Sequence, residues 1–411
     1  MKKQQSLLII GLLLCLNISW SQEYSIVIKG GHVIDPKNSI DEVLDVAIKD
    51  NKIVKVAKNI NAKDAEKVVE AKGLYVTPGL IDIHQHVFAG TEAGRAYSNG
   101  PGSVAPDGFS FRTGITTVVD CGGSGWKSFP TFKENIIDRS KTRVLAFLNI
   151  VGEGMRGGNY EQDTNDMNAK LSAQMAQKYS DDIVGFKVAH YEGPDWTPVD
   201  RAVEAGNLSK KPVIIDFGGS QPPLSIEELF MQHLRPGDIY THAFAELETR
   251  ETVVDVNSKE LKPFVSKAQE KGIVFDVGYG GISFAYSQAI PAVKSGFYPN
   301  TISTDLHIGS MNNAMKDLLS VMSKFLVMGM ELEEVIKATT WNPAKAILRE
   351  ELGNLSADMP ADVAILRLNK GDFGYFDYTG HLEKGKVRLE CELTIRDGKV
   401  VYDLNGRSLS K

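Results

Sequence analysis

The chain has 411 residues, 42% of them hydrophobic and 24% charged. This is an ordinary globular composition, which excludes extended disorder and leaves room for a large barrel plus one small satellite unit. The formal net charge is −6 with no Lys/Arg stripe interleaved with aromatics, so there is no basic field for a phosphate backbone and no nucleic-acid partner is expected.

Lys2 and Lys3 precede an apolar run from Leu7 to Leu16, and Ser19-Trp20-Ser21 follows ahead of Gln22. This pattern reads as a cleaved secretory signal over residues 1–21, so the mature protein is expected to be secreted or periplasmic. The apolar run is shorter than the ~20 residues that span a bilayer, and no membrane span is expected in the mature chain. An alternative is lipoprotein processing at Leu12-Leu13-Leu14-Cys15, but bulky Leu14 disfavours it because a small residue is usual there. Cys121 and Cys391 then remain, far apart and outside any C-x-x-C or Cys/His cluster, and they read as packing residues.

From Tyr24 to about Val76 the pattern is short alternating strands with turn signals, including Asp50-Asn51 between Leu44–Ile48 and Ile53–Val56. The same texture returns in Ala361–Leu366, Leu393–Arg396 and Lys399–Tyr402, the last two flanking Asp397-Gly398. Residues 22–78 and 355–411 are therefore expected to complete one small β-sandwich.

Between them, over 79–354, apolar strand-like runs recur at roughly 26 to 40 residue intervals, each followed by helical periodicity. Eight are read: Leu80–His84, Thr116–Val119, Val144–Leu148, Ile183–Val188, Val213–Ile215, Asp238–Thr241, Ile273–Val277 and Thr301–Thr304. The expected fold is α/β, a (β/α)8 TIM-type barrel with functional residues at the C-terminal ends of its strands. An open doubly wound sheet is disfavoured because no glycine-rich dinucleotide turn follows the first strand. The Gly-, Pro- and Ser-rich stretch from Phe88 to Ser110 and the turn from Gly152 to Gly158 are candidate lid or wall segments.

The first strand ends in His84-Gln85-His86, and residues i and i+2 of a strand point to one side, so both imidazoles can face one metal. Lys187 sits among apolar neighbours in Ile183–Ala189. A buried amine tends to lose its proton and could then react with carbon dioxide to form a bridging carbamate; the rival reading is a lysine that snorkels out of the barrel end. His242 closes the sixth strand and Asp305 the eighth. A divalent metal lowers the pKa of water towards ~7, so hydroxide becomes available at neutral pH, and a neighbouring carboxylate such as Asp305 can shuttle the proton.

At Thr77–His86, Gly114–Asp120, Asp238–His242, Ile302–His307 and Asn342-Pro343-Ala344 the sequence resembles the amidohydrolase superfamily, and within it the dihydroorotase-like amidohydrolase/deacetylase metallohydrolases. The resemblance spans nearly the whole mature chain. It implies a binuclear zinc-type site, with His84 and His86 on one metal, a carboxylated Lys187 bridging, His242 on the other metal, and Asp305 as ligand and proton shuttle; with the departures below the expected content is one or two ions.

Two positions depart from the family pattern. The fifth strand, Val213-Ile214-Ile215-Asp216, carries Asp216 where a metal-binding histidine is usual. Aspartate can ligate through oxygen with one more negative charge, which favours harder ions, or its shorter side chain leaves a single tightly held metal. Tyr279 stands where relatives tend to have histidine; it can donate a hydrogen bond to the substrate or oxyanion, or serve in packing, and with His307 it is a substrate-binding candidate.

The expected function is hydrolysis of an amide, cyclic amide or N-acyl amino acid, with ester cleavage as a related reaction. Two alternatives stay open: a heterocycle deaminase on the same barrel, and a binding protein that keeps the fold with weakened catalysis. The expected partner is a small-molecule substrate. Barrels of this kind often pair through outer helices, so a homo-oligomer is also an expectation.

Overall fold

The computed structural model describes residues 22–89, 102–216, 220 and 222–408. The secretory-signal and Cys15 readings lie outside the described residues, as does most of the stretch from Phe88 to Ser110. The alternating N-terminal segment forms β1 (Tyr24–Asp35), β2 (Ile40–Lys49), β3 (Lys52–Ala57), β4 (Ala65–Glu70) and β5 (Tyr75–Pro78). Asp50, at φ +53°, turns β2 into β3.

The chain then enters a parallel sheet of β6 (Leu80–Gln85), β7 (Ile115–Gly125), β8 (Arg143–Asn149), β9 (Ile183–Ala189), β10 (Val213–Asp216), β11 (Ile239–Tyr240) and β12 (Val274–Phe275), hydrogen-bonded in sequence order. Helices α1 (Phe129–Asn135), α2 (Ala169–Lys178) and α3 (Thr197–Ser209) follow β7, β8 and β9. After β10 a short α4 (Ile226–Glu228) runs into a π turn, and α5 (Pro263–Lys271) and α6 (Tyr286–Lys294) follow β11 and β12. Then come α7 (Ile308–Met311), α8 (Leu318–Met328), α9 (Leu332–Lys337) and α10 (Trp341–Ala346). Among the described residues no helix is long and apolar enough to cross a membrane.

Both faces of the parallel sheet are buried, and residue alternation sorts them. Phe186, Val188, Val213, Ile215 and Tyr240 pack in the larger core cluster, whereas Val184, Ile214, Ile239, Leu145 and Phe147 form a separate inner cluster. By the two-residue period of a strand, Lys187 lies opposite Phe186 and Val188, and Asp216 shares the face of Ile214.

The eighth run does not form a regular strand. Thr301–Leu306 lies between the two edges of the sheet, with isolated bridges Asp276↔Thr301 on one side and Gln85↔Leu306 on the other. The reason is local: Asp82 Oδ1 accepts the Thr304 N–H at 3.1 Å and Asp82 Oδ2 accepts its hydroxyl at 2.6 Å. A buried carboxylate has replaced the strand carbonyl that a continuous ladder would use.

The chain ends in β13 (Val363–Phe376), β14 (Leu382–Arg396) and β15 (Lys399–Asp403). Asp397 and Gly398, at φ +54° and +75°, supply the two left-handed residues of a tight hairpin turn. The two β-rich ends do join, as one hydrogen-bonded mixed set of eight strands. This follows from β5, which pairs β1 in parallel on one edge and β13 antiparallel on the other. Arg143 at the start of β8 forms an ion pair with Asp362, just ahead of β13, tying the two sheets together. Cys121 and Cys391 are both buried, unpaired thiols in different sheets.

Candidate metal centre

The strand ends bring most of the sequence-derived candidates into one buried cluster. Donor atoms of His84, His242 and Asp305 all lie within 4.8 Å of one another. Lys187, with 0% of its side chain exposed, sits among them, its Nζ 3.4 Å from His84 Nε2 and 3.5 Å from Asp216 Oδ2. His86 Nε2 lies 2.7 Å from Asp305 Oδ1, and Asp216 Oδ2 lies 3.2 Å from His242 Nε2. His242 and Asp305 both adopt left-handed backbone, φ +57° and +50°, so each turns the chain at the residue that carries the donor.

The imidazoles are oriented by their second nitrogens. Thr241 Oγ1 donates to Asp276 at 2.7 Å and so accepts from His84 Nδ1 at 2.9 Å. His242 Nδ1 donates to the Gly278 carbonyl. Both histidines therefore turn Nε2 towards the cluster. Burial, with the Lys187 charge adding to it, lowers the His84 pKa to about 3, so this ring is a neutral donor.

Burial alone would raise Asp305, but His84, His307 and His86 outweigh it and hold the carboxylate well below its usual range. Asp216 behaves likewise: burial is outweighed by His242, Arg250 and Lys187. Lys187, read from sequence as an amine that burial would neutralise, is pulled both ways. Burial does push it down, but neighbours led by Cys121, Asp216 and Asp305 push it up further, and with the Cys121 thiol itself held protonated by burial the two carboxylates carry that effect. Unmodified, Lys187 is an ammonium at the middle of the cluster.

The two substrate-binding candidates fall in different places. His307 caps α7, its Nδ1 2.8 Å from the Asp305 carbonyl and its ring centroid 6.0 Å from that of His86, so it borders the cluster. The Tyr279 side chain, 1% exposed, points elsewhere. It stacks on Phe284 with centroids 4.4 Å apart, and its hydroxyl accepts from Lys324 Nζ at 2.6 Å. Only the backbone near Tyr279 borders the centre: a Cβ at Gly280 would lie 2.6 Å from Asp305 Oδ2.

Several supporting residues were not singled out from sequence. Asp120 accepts the Val87, Phe88 and Gly123 N–H groups at 2.8, 3.2 and 2.7 Å and so fixes the chain leaving β6. Thr241 and Asp276 stand at strand ends, and the C-terminal-end rule could have found both. His190 Nδ1 pairs with Glu161 at 2.7 Å while its Nε2 lies 3.8 Å from Asp216. Arg250 pairs with Asp216 from the loop after β11, and no spacing in the sequence signals it.

Residues 255–401 match the model of the amidohydrolase family. Over 353 residues the chain is 33% identical to a protein named deacetylase from Brucella anthropi, covering 84% of each. The chain belongs to the amidohydrolase family. This amidohydrolase is a hydrolase of carbon–nitrogen bonds in small molecules, and its family is metal-dependent. A second protein named deacetylase, from Agrobacterium fabrum, is 32% identical over 349 residues, 83% of this chain and 82% of that one. Among solved structures, an adenine deaminase superposes with a TM-score of 0.83 at 27% identity, covering 93% of this chain and all of that one. A dihydroorotase superposes with 0.79 at 27% identity, covering 92% and 99%. These neighbours carry a TIM barrel with an additional domain, of which this amidohydrolase shows the curled parallel sheet and the mixed sheet beside it.

The residues present fit a divalent ion. His84 and His242 turn a ring nitrogen to the cluster and two carboxylates stay ionised beside them, a mixed nitrogen and oxygen donor set suited to zinc or its neighbours. His86 Nδ1, buried and without a hydrogen-bond partner, leaves this ring held only through Nε2, the atom facing Asp305.

Proposed function

We propose that the protein hydrolyses an amide, a cyclic amide or an N-acyl amino acid, with ester cleavage as a related reaction, at a centre of one or two zinc-type ions. The observation that carries this reading is the convergence of the His84, His242 and Asp305 donors within 4.8 Å at the ends of three separate segments of the parallel layer. His84, His86, His242 and Asp305 would hold the metal, Asp216 would add an oxygen, and Lys187 would join as a carbamate. Bound there, a divalent ion supplies a water acidic enough to ionise near neutral pH and polarises the scissile carbonyl.

The chain's own groups do the rest. Asp305 takes the proton of the attacking water at its carboxylate and returns it to the leaving nitrogen. His307, whose pKa Asp305 raises against the opposing effect of burial, borders that carboxylate and can steady its negative charge. Carboxylation of Lys187 exchanges a central positive charge for a negative one, so it and metal binding favour each other. In this reading Thr301–Leu306 is the eighth stave that closes the barrel over 79–354, and export follows cleavage after residue 21.

The test is Asp305→Asn, assayed on a panel of N-acyl amino acids and cyclic amides with metal content measured in parallel. A loss of about 10²- to 10⁴-fold in kcat is expected for a missing proton shuttle, and undiminished turnover would defeat the mechanism. The likeness to an adenine deaminase favours a second reading, deamination of a heterocycle, which ammonia release on a panel of bases would reveal.

A further inference from the structure

Two carboxylates enter the centre, and they are held differently. Asp305 Oδ1 faces His86 at 2.7 Å and His84 at 3.7 Å. Asp216 Oδ2 faces His242 Nε2 at 3.2 Å and Lys187 Nζ at 3.5 Å, while its other oxygen, Oδ1, accepts from Arg250 Nη2. The Asp216 and Arg250 side chains are only 3% and 9% exposed, so this pair is little screened by solvent. A guanidinium keeps its charge at any working pH, and here its Nη2 ties down one carboxylate oxygen.

We infer that Arg250 is a positioning residue for the metal centre, holding Asp216 through Oδ1 so that Oδ2 alone faces His242 and Lys187. The inference rests on the metal reading of this site. The charge balance gives it a reason. Asp216 and Arg250 together carry no net charge, as a neutral imidazole would, at the position where the resemblance implies a histidine. The pair thus replaces one neutral ligand by another, and neither partner should be exchangeable alone.

The test compares the wild type with Asp216→His and Asp216→His/Arg250→Met, each loaded with zinc and dialysed against a chelator. Zinc is counted by elemental analysis and folding is followed by thermal melting. Asp216→His alone sets an imidazole against a buried guanidinium, and its zinc should be lost at least about tenfold faster. The double variant should regain retention to within about threefold of wild type, since the compensating charge leaves with the carboxylate. A single variant that keeps zinc as the wild type does, or a folded double variant no better than the single, overturns the inference. If the double variant does not fold, Arg250→Lys serves: it keeps the charge but not the Nη2 position that reaches Oδ1, so a zinc-loss rate changed by about threefold or more supports the role and an unchanged rate overturns it. A wild type that retains no divalent ion defeats the metal reading and this inference with it. A wild type that retains zinc without the coupling defeats the Arg250 role alone.

Discussion

The Thr241 hydroxyl lies 2.9 Å from His84 Nδ1 and decides which nitrogen of that ring faces the centre. Its single proton goes to Asp276 at 2.7 Å, so towards His84 it accepts. Asp276 is held in turn by Thr301 at 2.6 Å and Ser303 at 2.7 Å. Thr241→Val keeps the shape and removes the acceptor. Zinc retention against a chelator should fall about 10- to 100-fold, the usual cost of losing a partner that orients a ligand. Unchanged retention would mean that the ring needs no such support.

Lys187 provides a second check, because its two candidate states predict opposite rescues. The β7 backbone confines its stem: a Cβ at Gly122 would lie 2.7 Å from Lys187 Cγ. If the working form is a carbamate, Lys187→Ala should lose metal and turnover, and formate or acetate diffusing into the vacated space should restore part of both. If it is an ammonium, carboxylates should do nothing and Lys187→Arg should outperform Lys187→Ala. Turnover and bound zinc, titrated against added formate, separate the two.

Lys324 gives a pH dependence well away from the metal ligands. Burial lowers its pKa from 10.5 to about 7, and the neighbouring Lys316 adds to that effect against Asp377 and Asp317. Lys324 Nζ donates to the Tyr279 hydroxyl and to the Ala314 and Phe376 carbonyls at 2.6, 2.6 and 3.0 Å. Between about pH 7 and 10.5 the unfolded chain binds this proton and the folded chain does not, so stability rises with pH across that window. The contribution is complete above the unfolded pKa and is lost as pH falls through about 7. Lys324→Met should flatten this slope in melting curves, and an unchanged slope would assign the dependence to other groups.

Gly398 tests how the two chain ends are fitted together. It lies at φ +75°, and a Cβ there would stand 1.8 Å from the Asp50 carbonyl oxygen, in the turn between β2 and β3. That neighbour is backbone and cannot rotate away. Gly398→Ala should therefore destabilise by about 1–3 kcal/mol, more than a left-handed alanine alone costs. Chemical denaturation measures it, and a neutral result would show that the hairpin turn can swing clear.

The parts of the site legible in sequence are those carried by residues at strand ends. His84, His86, His242 and Asp305 each follow an apolar run, and alternation places Lys187 and Asp216 on the inner face. Arg250 was invisible because its role depends on a loop fold that no periodicity encodes. Tyr279 looked like a substrate contact from its position after the seventh strand, yet the partner that claims its hydroxyl, Lys324, lies 45 positions away. Thr301–Thr304 has the residue types of a strand, but Asp82 intercepts the Thr304 amide. A competition between side-chain and backbone acceptors of that kind leaves no pattern in sequence.

The pairing of β5 with β13 sets a timetable for folding. Thr77 and Ala364, which meet across that seam, are 287 positions apart, and Gly79 alone separates β5 from the strand that delivers His84. A growing chain therefore carries an unsealed sheet margin beside its first ligand strand until nearly all of the intervening polypeptide has been made. A chain whose synthesis halts before residue 363 lacks the strand that covers that margin, which is then open to a foreign strand.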